Sequence, residues 1–273
     1  MTESTAKNYP NVAQSFGITG IVILGMLFLS PVNYALNKLI GKDASMLICY
    51  LLAIGIPFLI VNSIRKNKTD NNSFNYSIEN NRIIPFVIVV TIVLIFGIIS
   101  PIGYLIPMPE SIKKMFMDIS SQTGVFTFIL MVVAAPILEE LIFRGIILDG
   151  LLKKYSPIKS ILVSSLLFGL AHLNPWQFVT GSIIGTFSGW VYYRTRSILL
   201  SIIIHASANL IGFLLRFIDI DLSKDKTLLE MYGGLTKLIL AIVGSIIIIS
   251  ICIYFLNKEF NKQKAEMAAH NAS

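Results

Sequence analysis

Charged residues are scarce in this chain of 273 residues. They make up 14% of it, whereas 55% is hydrophobic and the mean hydropathy is +0.75. A soluble globular domain carries about 25% charged residues. Too few polar side chains are present to cover the surface of a soluble globule, which excludes an ordinary cytosolic enzyme and a disordered chain. The composition favours a polytopic membrane protein.

Cysteine is equally scarce, with only Cys49 and Cys252 in the whole chain. Neither belongs to a Cys-x-x-Cys pair, so the sequence excludes a disulfide-stapled secreted module and a zinc knuckle. Both cysteines lie inside apolar runs, where we expect them to act as small apolar helix residues.

The net charge of +7 does not indicate a nucleic-acid partner. Basic residues lie between long apolar runs and not along one stripe, as expected for charges that flank membrane spans. The acidic segment 218–234 has the composition of a calcium loop but lacks the EF-hand spacing. We therefore expect the lipid bilayer to be the main surroundings of the chain.

Eight apolar runs approach the length of about 20 residues that a bilayer crossing requires. They predict an all-α fold of about eight transmembrane helices and a single transmembrane domain over residues 1–273. The first run exceeds the apolar core of a signal peptide and no Ala-x-Ala site follows, so we interpret it as a retained span. The fifth and sixth runs meet at Asn174-Pro175, which predicts a tight hairpin. The runs are 15–37, 45–63, 83–107, 123–149, 157–173, 176–194, 197–217 and 235–256.

Lys and Arg are more frequent at the termini and in the loops after the second, fourth and sixth spans than in the other loops. By the positive-inside rule, both termini are expected to be cytoplasmic in a multi-pass protein of the cell membrane. Residues 65–82, rich in Asn and Lys, are expected to form a solvated cytoplasmic loop.

Few polar side chains interrupt the apolar spans. An ionisable group there costs about 2.5–3.5 kcal/mol on insertion scales and by default indicates function. The polar residues in question are Glu139, Glu140, Arg144, His172, His205 and Asn209.

The adjacent carboxylates Glu139 and Glu140 point about 100° apart on a helix, so they are not expected to share one role. Glu140 and Arg144 are i,i+4 neighbours that can form an ion pair. Glu139 has no such local partner and therefore needs one from another helix, or water. The alternative is that all three residues form a single packing network.

Two further pairs also have i,i+4 spacing: Phe168 with His172, and His205 with Asn209. Each pair lies on one helix face. At 1.5 Å per residue, Glu139, both histidines and Asn209 lie roughly 12–22 Å from the same membrane side. This similar depth predicts one convergent site, whereas a lone membrane histidine can also form an ordinary interhelical hydrogen bond.

These side chains suit the attack of water on an amide. That reaction needs a general base, a positioned water and donors for the oxyanion. A glutamate can be the base, one histidine can orient the water, and a second histidine and an asparagine can be donors. Glu139, His172 and His205 are also a ligand set that zinc accepts. Three signatures of other intramembrane proteases are absent: His-Glu-x-x-His, Gly-x-Ser-Gly and Gly-x-Gly-Asp.

The motifs resemble those of the CAAX protease and bacteriocin-processing family, also called the CPBP or Abi family, which is related to the Ras-converting CAAX endopeptidase. The resemblance covers about residues 120–215, the expected catalytic core, and the other spans match by hydropathy alone. In order along the chain, the motifs are Glu139-Glu140-x-x-x-Arg144, Phe168-x-x-x-His172 and His205-x-x-x-Asn209.

The resemblance implies an eight-helix, all-α fold with its active site inside the membrane. It implies that Glu139 activates water held by His172, and that His205 and Asn209 stabilise the oxyanion. Glu140, Arg144 and Phe168 are expected to have supporting roles. No cofactor is favoured, because Asn209 is a poor zinc ligand; zinc bound by Glu139, His172 and His205 is the alternative.

The expected function is that of a glutamic-type intramembrane endopeptidase acting on a membrane-associated peptide or protein. Peptide maturation, signalling and bacteriocin self-immunity all remain open as its pathway, and the bacterial character of the composition gives no reason to expect a prenylated substrate. One alternative is a non-enzymatic immunity or scaffold protein. Another is a carrier that uses Glu139 and the histidines as a proton relay.

Overall fold

The chain is described by a computed structural model that covers residues 8–218 and 227–270. Within these residues, every regular element is a helix, so the predicted all-α class is confirmed. A 3₁₀ turn, Leu215–Phe217, follows the eighth helix. The helices are α1 Val12–Ile40, α2 Lys42–Thr69, α3 Ile83–Tyr104, α4 Glu110–Ser120, α5 Val125–Leu152, α6 Pro157–Ala171, α7 Pro175–Thr195, α8 Ile198–Leu214, α9 Leu228–Tyr232 and α10 Leu235–His270.

Six helices in the described part of the chain are long and apolar enough to cross a membrane: α1, α2, α3, α5, α8 with its 3₁₀ turn, and α10. The chain is a multi-pass helical membrane protein, as expected, but the predicted number of eight spans is not confirmed. The predicted spans 157–173 and 176–194 do form helices, α6 and α7. However, α6 has only 15 residues, about 22 Å, which is shorter than a bilayer core of about 30 Å. The longer α7 is not among the six helices that meet both criteria.

Helices α6 and α7 form the predicted hairpin. The Asn174 side chain accepts a hydrogen bond from the backbone N–H of Gln177 at 2.8 Å and caps the start of α7. Glycines let the two helices approach closely: a Cβ at Gly181 would lie 3.1 Å from the Cα of Gly169. The close packing places the last turn of α6, with its histidine, against the first turns of α7.

Buried apolar side chains form two large clusters. The first joins α1, α2, α5 and α6, and the second joins α3, α7, α8 and α10. A smaller cluster consists of α5, α6, α7 and α8 residues. The three helices that carry the motifs therefore meet in the interior of the bundle.

Most residues of the segment 65–82 are exposed, as expected of a solvated loop, but its first residues belong to α2 and are not loop. Residues 65–69 complete the last turns of α2, and Arg65 is buried there. Beyond them, Phe74 packs so closely on Gly145 that a Cβ at that glycine would lie 2.6 Å from the Phe74 ring. An apolar anchor and a buried cation hold this segment against the helices, although most of its residues are polar. Within the acidic segment 218–234, residues 219–226 lie outside the described residues.

Candidate active site

The four side chains predicted to be catalytic line one cavity of about 290 Å³ inside the helix bundle. Glu139 comes from α5, His172 follows the last residue of α6, and His205 with Asn209 comes from α8. Residues of α1, α2 and α7 complete the wall. The structure thus brings the four residues together, as their similar depth predicts, while their chemical roles stay predictions.

Glu139 has a partner from a helix that the motifs do not include. The Tyr50 hydroxyl on α2 donates a hydrogen bond to Oε1 of Glu139. The other carboxylate oxygen, Oε2, is buried and has no hydrogen-bond partner among the described residues. Nε2 of His205 lies 3.8 Å from Oε2, too far for a hydrogen bond. Oε2 is therefore the carboxylate oxygen whose hydrogen-bonding capacity is unused among the described residues.

Glu140 is enclosed by three partners. Its Oε1 lies 3.0 Å from Nη1 of Arg144 and 3.0 Å from Nδ1 of His205, and its Oε2 accepts a hydrogen bond from the Ser188 hydroxyl at 3.2 Å. The predicted Glu140–Arg144 pair is confirmed, and both side chains are almost fully buried, at 1% and 0% exposure. A buried ion pair needs further hydrogen bonds to offset desolvation. Arg144 has one, from Nη2 to the Gly185 carbonyl at 3.2 Å.

Phe168 contacts three members of the site at once. Its ring centroid lies 4.6 Å from the Arg144 guanidinium carbon, 5.1 Å from the His172 ring and 5.3 Å from the His205 ring. Both histidine contacts are edge-to-face, a favoured aromatic geometry. The buried phenyl ring thus holds the two imidazoles at a common wall, which gives its predicted supporting role a physical basis.

The hydrogen bonds of the two histidines indicate where their protons lie. Nδ1 of His172 is 3.0 Å from the Phe168 carbonyl, which can only accept, so Nδ1 carries a hydrogen. Nδ1 of His205 faces the Glu140 carboxylate in the same way. In both neutral rings, Nε2 then carries the lone pair. Consequently, His205 can donate from Nε2 only as an imidazolium, with Glu140 and Glu139 on its two sides.

Asn209 is oriented by an irregularity in α5. Residues Ile129–Ala134 form a π-helical segment, and the Ala135 N–H bonds to the carbonyl of Leu130, five residues back. In that register, the carbonyl of Met131 would accept from residue 136, which is a proline without an N–H. The Asn209 amide donates to the Met131 carbonyl instead, at 2.8 Å. This bond leaves the second amide hydrogen of Asn209 for a ligand.

The zinc alternative involves Glu139, His172 and His205. Within the part of the chain that the structure describes, no three His, Cys, Asp or Glu side chains form a group that could hold a metal ion. Glu139, His172 and His205 line one cavity without forming such a group. Our preference for a metal-free mechanism stays a prediction that experiment must test.

Sequence reasoning missed three contributors to the site. Tyr50 lies in the second predicted span and 89 residues from its acceptor, so no local spacing connects them. Ser188 lies in the run Gly185-Thr-Phe-Ser188-Gly189, which is one residue too long for the Gly-x-Ser-Gly signature. The Gly185 carbonyl binds Arg144, and a Cβ there would lie 3.0 Å from the guanidinium. The sequence offered one signal for Tyr50 and Ser188: each is a polar side chain within an apolar run.

Residues 121–211 match the sequence model of a family described as Type II CAAX prenyl endopeptidase Rce1-like. The matched segment contains all three motifs, and the resemblance that they indicate is confirmed. The match covers about a third of the chain, so the terminal helices lie outside it.

Three curated relatives are similar over parts of the chain. The UPF0177 protein YxdF of Lactococcus lactis is 33% identical over 81 residues, which are 29% of this chain and 44% of the relative. The Bacillus subtilis protein named "Putative membrane peptidase YdiL" is 34% identical over 77 residues, which are 28% of this chain and 32% of the relative. An "Uncharacterized 24.3 kDa protein" of Escherichia coli is 28% identical over 114 residues, which are 40% of this chain and 52% of the relative.

Each alignment thus spans between about a third and a half of the relative's own length. No solved structure matches the chain.

Proposed function

We propose that this chain is an intramembrane endopeptidase that hydrolyses a peptide bond of a membrane-associated peptide or protein. One observation carries the proposal. Glu139, whose Oε2 has no hydrogen-bond partner among the described residues, shares a cavity inside a membrane helix bundle with two imidazoles and an amide. This cavity includes residues from all three motifs of the segment that matches an endopeptidase family.

The proposed reaction begins with water. Oε2 of Glu139 accepts a proton from the water, whose oxygen forms a bond to the amide carbon of the substrate. The lone pair on Nε2 of His172 accepts a hydrogen bond from the same water and orients it. The electron pair of the substrate carbonyl moves onto its oxygen. The C–N bond then breaks, and the leaving nitrogen takes the proton from Glu139.

Two donors are proposed for the oxyanion. Asn209 has an unused amide hydrogen while its other one is bound to the Met131 carbonyl. His205 donates from Nε2 when protonated, and Glu140 then accepts from Nδ1. Donors that are fixed before the reaction stabilise developing charge strongly, and loss of one typically costs about 10²–10³ in rate. Arg144 supports His205 indirectly, through Glu140, and Phe168 packs against the His205 ring.

The proposed surroundings and partners follow from the same features. The cavity lies in a helical membrane protein, so its substrate is a peptide or protein segment in or at the lipid bilayer. We propose a cell-membrane location with both termini cytoplasmic, and no nucleic-acid partner. Peptide maturation, signalling and bacteriocin self-immunity are the candidate pathways.

The test compares Glu139→Gln with wild type after reconstitution of the purified full chain in liposomes. The probe is a library of internally quenched, apolar peptides that partition into the bilayer. We expect wild type to cleave some members and Glu139→Gln to lose at least about 10²-fold in rate, because the amide cannot accept a proton. The matched control is Glu110→Gln at an exposed position on α4, which should cleave as wild type does.

Wild-type-like cleavage by Glu139→Gln would remove the mechanism as written. A phenotype that survives Glu139→Gln in cells, together with no cleavage by wild type, would favour the non-enzymatic scaffold. Bound zinc and activity are measured before and after chelation in the same preparations. We expect chelation to leave the activity unchanged. Stoichiometric zinc that is lost together with activity in His172→Ala would overturn the metal-free mechanism.

A further inference from the structure

Tyr50 is the only residue among the described contacts of Glu139 that donates a hydrogen bond to its carboxylate. It lies on α2, outside the segment 121–211 that matches the family. A hydroxyl in an apolar span is costly unless it is hydrogen-bonded. The chain meets this requirement by placing the hydroxyl on the carboxylate that we propose as the base.

The bond makes the two oxygens of Glu139 inequivalent. Oε1 accepts from Tyr50, whereas Oε2 is buried without a hydrogen-bond partner among the described residues and faces the His205 ring at 3.8 Å. The terminal torsion of a glutamate is broad, so a carboxylate without a fixed donor samples many orientations. A donor on one oxygen restricts that torsion and keeps the other oxygen directed to one place.

The hydroxyl of Tyr50 also helps to hold the Tyr50 ring in place. Tyr50 lines both the active-site cavity and a second cavity of about 210 Å³, as do Met26 and Leu130. Its ring is partly buried and packs against the apolar cluster of α1, α2, α5 and α6. The bond to Glu139 adds a polar anchor to this packing.

We propose that Tyr50 is a positioning residue for the reaction: its hydroxyl holds Oε1 of Glu139, so that Oε2 is the oxygen that takes the proton from water. This inference rests on the proposed endopeptidase function. Tyr50 itself contacts neither the attacking water nor the oxyanion in this mechanism. It acts only through the carboxylate.

The first test is Tyr50→Phe, which removes the hydroxyl and keeps the size of the ring. In the liposome assay, with a quenched peptide that wild type cleaves, we expect kcat to fall about 10- to 100-fold, the range for loss of a hydrogen bond to a charged group. KM should stay within about twofold, because the hydroxyl is bonded to the base and not to substrate. The thermal midpoint in detergent should stay close to that of wild type.

The matched control is Tyr232→Phe. The Tyr232 hydroxyl also makes an interhelical hydrogen bond, to the Phe96 carbonyl at 2.6 Å, but far along the chain from the motifs. We expect its loss to leave kcat and KM unchanged. An equal fall in kcat in both variants would mean that any lost hydroxyl perturbs the bundle, and would overturn the inference.

The second test is a double-mutant cycle with Glu139→Asp. Aspartate keeps a carboxylate but is one methylene shorter, so it withdraws from the Tyr50 hydroxyl. If Tyr50 acts through Glu139, Tyr50→Phe should change kcat by less than about twofold in the aspartate background. Independent, multiplicative effects on kcat would contradict a positioning role, as would an effect confined to KM.

The two proposals fail in different ways. Absence of cleavage by wild type removes the proposed function. Cleavage that persists in Glu139→Gln removes Glu139 as the base and, with it, the role of Tyr50. Wild-type kcat in Tyr50→Phe, combined with an inactive Glu139→Gln, removes only the inference about Tyr50.

Discussion

Two neighbouring glutamates on α5 have different surroundings because adjacent helix residues point about 100° apart. Glu139 faces the cavity and accepts a hydrogen bond from Tyr50. Glu140 contacts a different set of partners, which includes Arg144 and Ser188. His205 stands between the two carboxylates, with one ring nitrogen toward each. This arrangement lets one residue type supply both a candidate base and a structural counter-ion.

Glu140→Gln is expected to lower stability sharply. The substitution leaves the fully buried Arg144 guanidinium without its carboxylate, and breaking a buried pair on one side costs about 3–5 kcal/mol. We expect a clear fall in the thermal midpoint and in the yield of inserted protein, measured in detergent and in membranes. Glu110→Gln, at an exposed position, should change neither.

A wild-type thermal midpoint combined with lost activity in Glu140→Gln would contradict this prediction. It would mean that the roles of Glu139 and Glu140 are assigned the wrong way round.

At the scale of single residues, local spacing predicted much of the candidate site. The pair Glu140–Arg144 follows from i,i+4 geometry alone, and the structure has it at 3.0 Å. The bond between Tyr50 and Glu139 could not be predicted in this way, because it joins two helices that are distant in sequence. Such contacts depend on helix packing, which no local periodicity encodes.

Among the helices, α5 owes its shape to two π-helical segments, Ile129–Ala134 and Leu141–Leu148, on either side of the turn that carries both glutamates. π-helical segments are rare in proteins, and those that occur are frequently found at functional sites. Pro136 lies between the two segments. Because Pro136 lacks an N–H, the Met131 carbonyl has no such donor within α5. The Asn209 amide on α8 donates a hydrogen bond to this carbonyl. The irregular helix and the candidate oxyanion donor are thus coupled.

The α6–α7 hairpin depends on small residues where its helices meet. We expect Gly181→Leu to destabilise the protein by about 1–3 kcal/mol, the usual cost of overpacking, because a side chain there collides with Gly169. It should also reduce cleavage, since Phe168 and His172 on the same hairpin line the cavity. Thermal midpoint and kcat of the reconstituted chain are the measurements.

Gly244→Leu is the matched control for the hairpin. This glycine lies on α10, and a Cβ there would have nothing within 4 Å. We expect wild-type stability and cleavage. A wild-type result for Gly181→Leu as well would show that the close approach of the two helices is dispensable.

Helices α6 and α7 also explain why the predicted number of spans is not confirmed. With 15 residues, α6 reaches only about 22 Å, so its last turn ends within the thickness of a bilayer. That length carries His172, just past the end of α6, to the depth of the cavity and not to the far surface. Hydropathy detected two apolar runs, but the packing of the hairpin decides how far each one extends.

For the molecule as a whole, three loops predicted to share a membrane side do meet at one end of the bundle. Asp149, near the end of α5, lies 3.7 Å from Arg65 of α2, 2.7 Å from Lys153 after α5, and 3.4 Å from Arg196 after α7. This acidic side chain therefore links basic residues of all three loops. Which side of the membrane they occupy stays a prediction from the positive-inside rule.

Orientation can be tested by cysteine labelling in intact cells. The native Cys49 and Cys252 are buried, so a membrane-impermeant maleimide should not react with wild type. We expect Ser121→Cys, at the outer end of α5, to react in intact cells. Asn72→Cys, beyond α2, should react only after the membrane is permeabilised. Both positions are exposed in the structure.

Labelling of Asn72→Cys in intact cells, with Ser121→Cys protected, would invert the predicted orientation. Labelling of both in intact cells would place the ends of α2 and the start of α5 on one side and contradict the bundle itself. Two further features stay predictions, as the orientation does: the single transmembrane domain over residues 1–273 and the catalytic core over residues 120–215.

The sequence by itself determined the class of the protein, the positions of its helices and the identity of four cavity residues. Those features depend on composition and on periodicity within one helix, which neighbouring residues encode. Only the tertiary structure decided which oxygen of Glu139 is bonded, how Asn209 is oriented and which helices fall short of a full span. These features arise where separate helices meet, and close packing between distant parts of the chain sets them.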